Sequence, residues 1–458
     1  MNLNNRTASI TIVDNIQVTV PASLQLMTPY VLHEQGDWFE DEIKFLRTFI
    51  KPGMKIIDIG ANYGLYTLTL AGIAGDQGKV WAFEPTGATV SCLRKSIADN
   101  GFNNIELIQA GLSDKIRKAN FFTGPNSELN SLSKESVAGN QQETVLLLTL
   151  DHCAKKYQWG DIDFIKLDAE GEESNILKKG RSFLSSSSPL IMFELKHGEK
   201  VNLSLINRFE SLGYDSYRLI PGLDVLVPFN PDEPFDPYLL NLFCCRKDKA
   251  ALLEAEQYLV KQSGQQECPP DAGMIREYLL QFPFGNSISG LHFLAGTSED
   301  YLKIFTSYIL SRSESASAAE RVGYLSTALQ GVRDILEKGE HGIEHLAVFA
   351  RVAFSAGERA LGVGILRDLM NRHISGRDLE IAEPFLPVCP RYDAISPHDD
   401  INEWLLSSIL EQYISKHAFS SYFTRRTSLP LLEKLGELGY MDDQMKKTED
   451  MIKRVFPS

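Results

Sequence analysis

Residues 55–85 read K-I-I-D-I-G-A-N-Y-G-L-Y-T-L-T-L-A-G-I-A-G-D-Q-G-K-V-W-A-F-E-P. Met54 to Ile59 is a short apolar run ending at Asp58 and Gly60. Lys79 to Phe83 is a second such run, closed by Glu84. Between them Leu65, Leu68, Thr69 and Gly72 recur at helical spacing. Strand, glycine-bearing turn, helix and strand make a βαβ unit. In such units a ligand lies at the carboxyl ends of the strands.

The turn, Gly60-Ala61-Asn62-Tyr63-Gly64, is built for close approach. Glycines let backbone come near a ligand where a Cβ would clash. A helix starting near Tyr63 offers free N–H groups and a positive dipole end. A carboxylate at Glu84 suits both hydroxyls of a ribose. The stretch therefore implies a nucleoside-bearing cofactor, against the plainer reading of a tight turn with a solvated Glu. Hydride-transfer enzymes use G-x-G-x-x-G to admit a pyrophosphate. The middle glycine is missing here, which disfavours a dehydrogenase. Asp58 precedes the turn, where it can anchor a cationic amino group. S-adenosylmethionine has a ribose, an amino-acid tail and no phosphate, and it fits this set.

The chain has 458 residues, a length for about two or three domains. Its formal net charge of −14 argues against a nucleic-acid or anionic-membrane partner held by bulk charge. None of the six cysteines forms a C-x-x-C pair, so reduced thiols are expected. The start lacks a long apolar signal core, and no run is long enough to span a membrane. A cytoplasmic protein is the expectation.

Residues 8–20 alternate as one or two strands. Phe39, Ile43, Leu46 and Phe49 share a helical face that ends at Lys51-Pro52-Gly53. After Pro85 a second helix, marked by Val90, Leu93 and Ile97, closes at Asn100-Gly101. Ile105 to Ile108 is a third strand, and Gly111-Leu112-Ser113-Asp114 follows it. Asp114 there suits an adenine amino group, or else an Asx turn. Residues 119–150 read as an inserted hairpin with a flexible tip. Asp161 to Asp168 is a fourth strand, followed by Glu170, Gly171, Glu172 and Glu173 and a helix over 174–184. A fifth strand ends in Glu194 and His197, and a helix over 202–212 follows. Tyr214 to Ile220 and Leu239 to Cys245 are two last strands, joined by the loop over 230–237.

Five βα steps and a terminal pair of strands describe an α/β, seven-stranded Rossmann-like methyltransferase sheet, doubly wound. D-I-G-A-N-Y-G-L-Y-T, A-F-E-P, G-L-S-D, T-L-D and I-K-L-D-A-E-G-E-E, in that order, resemble the FkbM family of S-adenosylmethionine-dependent methyltransferases over about residues 8–248. The resemblance implies cofactor binding by Asp58, Gly60, Asn62, Gly64, Glu84 and Asp114, with Ala61 and Ser113 in the same two turns. It implies methylation of a hydroxyl on a sugar, glycan or secondary metabolite. Catalytic candidates are Asp168 and Glu170 after the fourth strand and Glu194 and His197 after the fifth. His197 has the pKa most suited to a base. Asp168 and Glu194 holding Mg²⁺ is the alternative, and the metal-free route is preferred.

Residues 249–458 carry helical periodicity and few strand signals, so a C-terminal all-α helical-hairpin domain is expected after a methyltransferase domain over 1–248. Gly342 to Arg372 reads as two helices around Gly357, and Leu429 to Val455 as two turning at Leu438-Gly439-Tyr440. The outline is tetratricopeptide-like but degenerate. Such pairs expose a face for a protein partner or self-association, or they form a plain bundle. His341-Gly342-Ile343-Glu344-His345 matches H-x-x-E-H, an inverted zinc-protease string. Glycines at its helix start disfavour a metal site, and Glu344 and His345 read as solvated first-turn residues. A scaffold whose first half has lost its chemistry is the competing function class.

Overall fold

The computed structural model describes residues 6–124, 141–197, 200–288, 298–339, 341–375, 381 and 383–457. It divides into two compact units. The first is 1–219 with 228–234 and 239–256; the second is 220–227 with 235–238 and 257–458.

The first unit opens with β1 (Thr7–Thr11) and β2 (Gln17–Pro21), an antiparallel hairpin. Then come α1 (Met27–Gln35), α2 (Asp41–Phe49), β3 (Lys55–Ile59), α3 (Leu65–Ala74), β4 (Lys79–Phe83), α4 (Gly87–Asp99) and β5 (Ile105–Ile108). Phe39 lies ahead of α2, whose buried face is Ile43, Phe45, Leu46 and Phe49. β6 (Gly111–Leu112), β7 (Arg117–Thr123) and β8 (Gln141–Leu148) form a separate small sheet in the order β6-β8-β7. The inserted hairpin is thus β7 and β8, paired antiparallel, and its expected flexible tip lies outside the described residues.

Next follow α5 (Leu150–Lys156), β9 (Phe164–Leu167), α6 (Glu173–Lys178), α7 (Arg181–Ser186), β10 (Leu190–Glu194), β11 (Lys196–His197), β12 (Lys200–Val201) and α8 (Leu203–Glu210). The helix expected over 174–184 is broken in two. At the break, a Cβ on Gly180 would lie 2.6 Å from Leu150 Cδ2, so a distant packing contact holds the chain there. β13 (Tyr214–Ile220), β14 (Val225–Pro228), β15 (Asn241–Arg246) and α9 (Lys247–Ala255) complete this stretch.

The central sheet has eight strands, seven of them in the first unit and ordered β13-β15-β10-β9-β3-β4-β5. The eighth, β14, escaped the sequence reading; its residues up to Val227 fall in the second unit. β5, β4, β3, β9 and β10 are parallel, and β15 runs antiparallel to β10 and β13. This is the Rossmann-like methyltransferase arrangement expected above. Register fixes the site. Ile59 pairs with Phe83 and with Leu167, and Leu167 pairs with Phe193. Four strand ends are therefore level, and Gly60, Glu84, Asp168 and Glu194 stand side by side at one edge. The strand interiors Ile56, Ile57, Val80, Phe164, Ile165, Ile191 and Met192 are buried, as a sheet covered on both faces requires.

The second unit is helical: α10 (Ala272–Leu279), α11 (Gly285–Ile288), α12 (Glu299–Ser311), α13 (Ala318–Lys338), α14 (Ile343–Ser355), α15 (Arg359–Ser375), α16 (Ile401–Lys416), α17 (Ser421–Thr424), α18 (Leu429–Glu437) and α19 (Asp443–Val455). The two hairpins read from sequence are present, turning at Gly357 and Gly439, both with φ of +79°. Their core holds Tyr301, Phe305, Phe349, Tyr392 and Trp404. Glu344 and His345 are not solvated. Glu344 is 7% exposed, and the His345 ring lies tilted against Tyr301, centroids 4.1 Å apart, with its Nε2 2.8 Å from Glu383 Oε2. Among the described residues no helix is long and apolar enough to cross a membrane. All six cysteines are buried and free.

Candidate active site

The turn after β3 is shaped by its backbone. Gly60 has φ +81°, Asn62 +48° and Gly64 +90°. At Gly64 a Cβ would sit 2.3 Å from Leu93 Cδ1, so glycine lets α3 lie against α4. Ala61 is buried and donates its N–H to Phe83 O. The Asn62 N–H donates to Glu84 Oε2 at 3.0 Å. Thr86 donates to Glu84 Oε1 through its N–H (3.0 Å) and hydroxyl (2.7 Å). Glu84 is thus clamped at the end of β4. Burial pushes its carboxyl above the usual range, while the Thr86 and Asn62 donors pull the other way.

Gly60, Asn62 and Glu84 edge an open cleft at the strand ends. Its lining is apolar at Pro85, Leu112, Phe121 and Leu147 and acidic at Glu84, Asp168, Glu170 and Glu172. Phe121 and Leu147 come from the β7–β8 hairpin, and the sequence reading assigned neither. The sequence marked an inserted hairpin there but held no signal that it folds back over the cleft.

Five expected cofactor residues lie off the lining: Ala61 and Gly64 of the turn, and Asp58, Ser113 and Asp114. Asp58 is fully buried; Thr67 Oγ1 donates to its Oδ2 at 2.5 Å, and its Oδ1 has no hydrogen bond among the described residues. Ser113 is fully buried and donates to Glu172 Oε2 at 2.6 Å. Asp114 accepts from Ser113 Oγ at 3.4 Å. Glu172, which the sequence reading left to the dipole of the following helix, stands in the cleft instead.

The acidic residues are layered. Asp168 is paired to Lys166 at 2.7 Å and remains partly exposed. Glu170 has φ +50°, a left-handed conformation rare outside glycine. Burial, then Asp168, pushes Glu170 up to about 10. Burial, then Asp168, pushes Glu194 up to about 9. Glu173 turns back and accepts from the N–H groups of Ala169 (2.9 Å) and Gly171 (3.2 Å), which fixes the turn. His197 lies in β11, paired with Lys200. Among the described residues no three His, Cys, Asp or Glu side chains converge to hold a metal ion.

Comparison with known proteins follows this geometry. Residues 58–216 match the family described as the Methyltransferase FkbM domain. That stretch lies within the first unit. "Probable cobalt-precorrin-6B C(15)-methyltransferase (decarboxylating)" of Sulfurisphaera tokodaii is 24% identical over 143 residues, 31% of this chain and 70% of that protein. A SAM-dependent methyltransferase from Aquifex aeolicus shares 17% identity, covering 47% of this chain and 93% of that one, with a TM-score of 0.27. A SAM-dependent O-methyltransferase from Thermotoga maritima shares 13%, covering 50% and 73%, with a TM-score of 0.29. The coarse activity is methyl transfer from S-adenosylmethionine.

The residues present fit that cofactor. Glu84 stands at the second strand's end against the cleft, and the apolar walls suit a base. The orphaned Asp58 Oδ1 is a buried acceptor beneath the turn, of the kind that a polar partner normally satisfies. Removing Glu84 takes away a charged acceptor worth about 1.5–3 kcal/mol per hydrogen bond. Glu84→Ala therefore weakens S-adenosylmethionine at least tenfold in titration calorimetry. Equal affinity in a folded mutant rejects the assignment.

Proposed function

We propose that the FkbM-like unit methylates a hydroxyl oxygen of a sugar, glycan or secondary metabolite. The observation that carries this reading is the acidic lining of the cleft, where Asp168 is partly exposed beside Glu170. The cofactor supplies an electrophilic methyl on a sulfonium. The acceptor oxygen has to lie in line with that bond and lose its proton. Asp168 takes the proton in this reading, and His197 is the other base on offer. Glu170 and Glu194, held protonated at neutral pH, orient the acceptor through hydrogen bonds. Asp58, Gly60, Ala61, Asn62 and Gly64 receive the amino-acid end of the cofactor, and Glu84 the ribose.

The base then lies between Leu112, Phe121 and Leu147, where Glu172 is the carboxylate on the lining. Glu172→Ala is expected to weaken the cofactor more than Asp114→Ala does. The reverse ranking in calorimetry returns the base contact to Asp114.

A net charge of −14 disfavours a nucleic-acid acceptor. The deciding experiment incubates the full chain and methyl-labelled cofactor with small-molecule, glycan and RNA fractions, read by mass spectrometry. Label on a metabolite or glycan hydroxyl sustains the proposal. Label in RNA overturns the acceptor class. Absence of binding heat with S-adenosylmethionine returns the scaffold reading. Loss of activity with chelator, restored by Mg²⁺, moves Asp168 and Glu194 from acid–base work to metal ligation.

A further inference from the structure

Lys166 lies inside a central parallel strand and is 6% exposed. Such strands are normally apolar runs, and a buried charge is costly unless paired. The sequence I-K-L-D gave this lysine no task. Its surroundings give it one. Its Nζ donates to Asp168 Oδ2 at 2.7 Å. It lies 5.1 Å above the Tyr66 ring, whose hydroxyl bonds Glu40. Its strand neighbours in register are Asp58 on β3 and Met192 on β10.

The groups around it are nearly all acids. Asp58 faces it from β3, Tyr66 from α3 and Glu40 from the segment before α2. Asp168 and Glu170 come from the turn after β9 and Glu194 from β10. Glu42 on α2 lies beside Glu40, and Glu173 beside Asp168. Burial pulls the lysine's pKa down, but Asp168, then Asp58, then Glu40 outweigh it, so Lys166 stays charged. One ammonium is thus set among many carboxyls, and its direct hydrogen bond goes to Asp168, which lines the cleft.

We infer that Lys166 is a positioning residue that holds the Asp168 side chain aimed into the cleft. This rests on the methyl-transfer reading only for its kinetic consequence. The geometry fixes which carboxylate is held. Without the ammonium, Asp168 loses the hydrogen bond that anchors its Oδ2 and its side chain is free to turn.

The test uses the full chain with ¹³C-carboxyl aspartate, where the resonance lost in Asp168→Asn identifies Asp168. In Lys166→Met that resonance is expected to move at fixed neutral pH, because its hydrogen-bonded ammonium is gone. With an acceptor in hand, kcat at neutral pH falls at least tenfold, as a displaced reacting group loses rate. Affinity for S-adenosylmethionine stays within twofold. Lys166→Arg keeps a cationic donor and is expected to restore the wild-type resonance and kcat, so it carries the test if the methionine variant does not fold. An unmoved Asp168 resonance in folded Lys166→Met overturns the inference, as does Lys166→Arg with its resonance away from wild type. Absence of cofactor binding by the wild type instead overturns the methyl-transfer reading and leaves the resonance result standing.

Discussion

Asp168→Asn lowers methyl transfer at least a hundredfold while the protein stays folded and binds cofactor. Asparagine matches aspartate in size, and its amide oxygen still accepts from Lys166 across the 2.7 Å contact. What it loses is the ability to take a proton. Its neighbours Glu170 and Glu194 cannot replace it at neutral pH. Glu170 and Glu194, pushed to about 10 and about 9, already carry their protons there. Acid–base groups contribute about 10²–10⁴-fold, so a hundredfold loss is the floor of that range. The measurement is kcat with labelled cofactor at fixed acceptor, beside calorimetric affinity and circular dichroism. Activity near wild type moves the chemistry away from the turn after β9, with His197 the next residue to change.

Much of this site was legible because it is local. The Gly60–Gly64 turn, Glu84 closing β4 and Asp168 following β9 are set by short runs whose period and glycines mark strand ends. The parallel order then follows from the repeated βα alternation. What stayed hidden depends on contacts between distant residues. Lys166 sits in an apolar run and reads as an exposed exception, and only its register with Asp58 shows that it is buried among acids. Phe121 and Leu147 became cleft walls through the folding back of β7 and β8. Ser113 and Glu172 lie 59 positions apart and meet across the turn, which no spacing rule reveals. The break at Gly180 comes from Leu150, thirty positions earlier by subtraction (180 − 150). In the second unit the helix around Glu344 was visible but its burial was not. Packing against Tyr301 decides that, and Tyr301 lies on another helix.

The largest structural effect is expected at Gly60. Two penalties meet there and can be separated. The first is conformational: Gly60 holds φ +81°, where a side chain costs roughly 1–2 kcal/mol. The second is contact: an added Cβ would lie 1.8 Å from Asp168 O and 3.0 Å from Asp168 C. Those are backbone atoms at the end of β9, so no side-chain rotation relieves the overlap. Strands β3 and β9 would have to part where Asp168 N donates to Ile59 O at 3.1 Å. Gly36 supplies the control. It has φ +67° and ψ +8°, and nothing within 4 Å of its added Cβ, so it tests the conformational cost alone. Gly36→Ala is expected to lose about 1–2 kcal/mol. Gly60→Ala is expected to lose about 4 kcal/mol or more, the range reserved for severe steric mechanisms. It also displaces Asp168, so whatever folds should not bind S-adenosylmethionine. Chemical denaturation of both variants, followed by fluorescence, measures the gap. If the two alanines cost the same, β3 and β9 do not meet as closely as the structure has them at this point. The shared floor of the Gly60–Gly64 turn and Asp168 would then need to be redrawn.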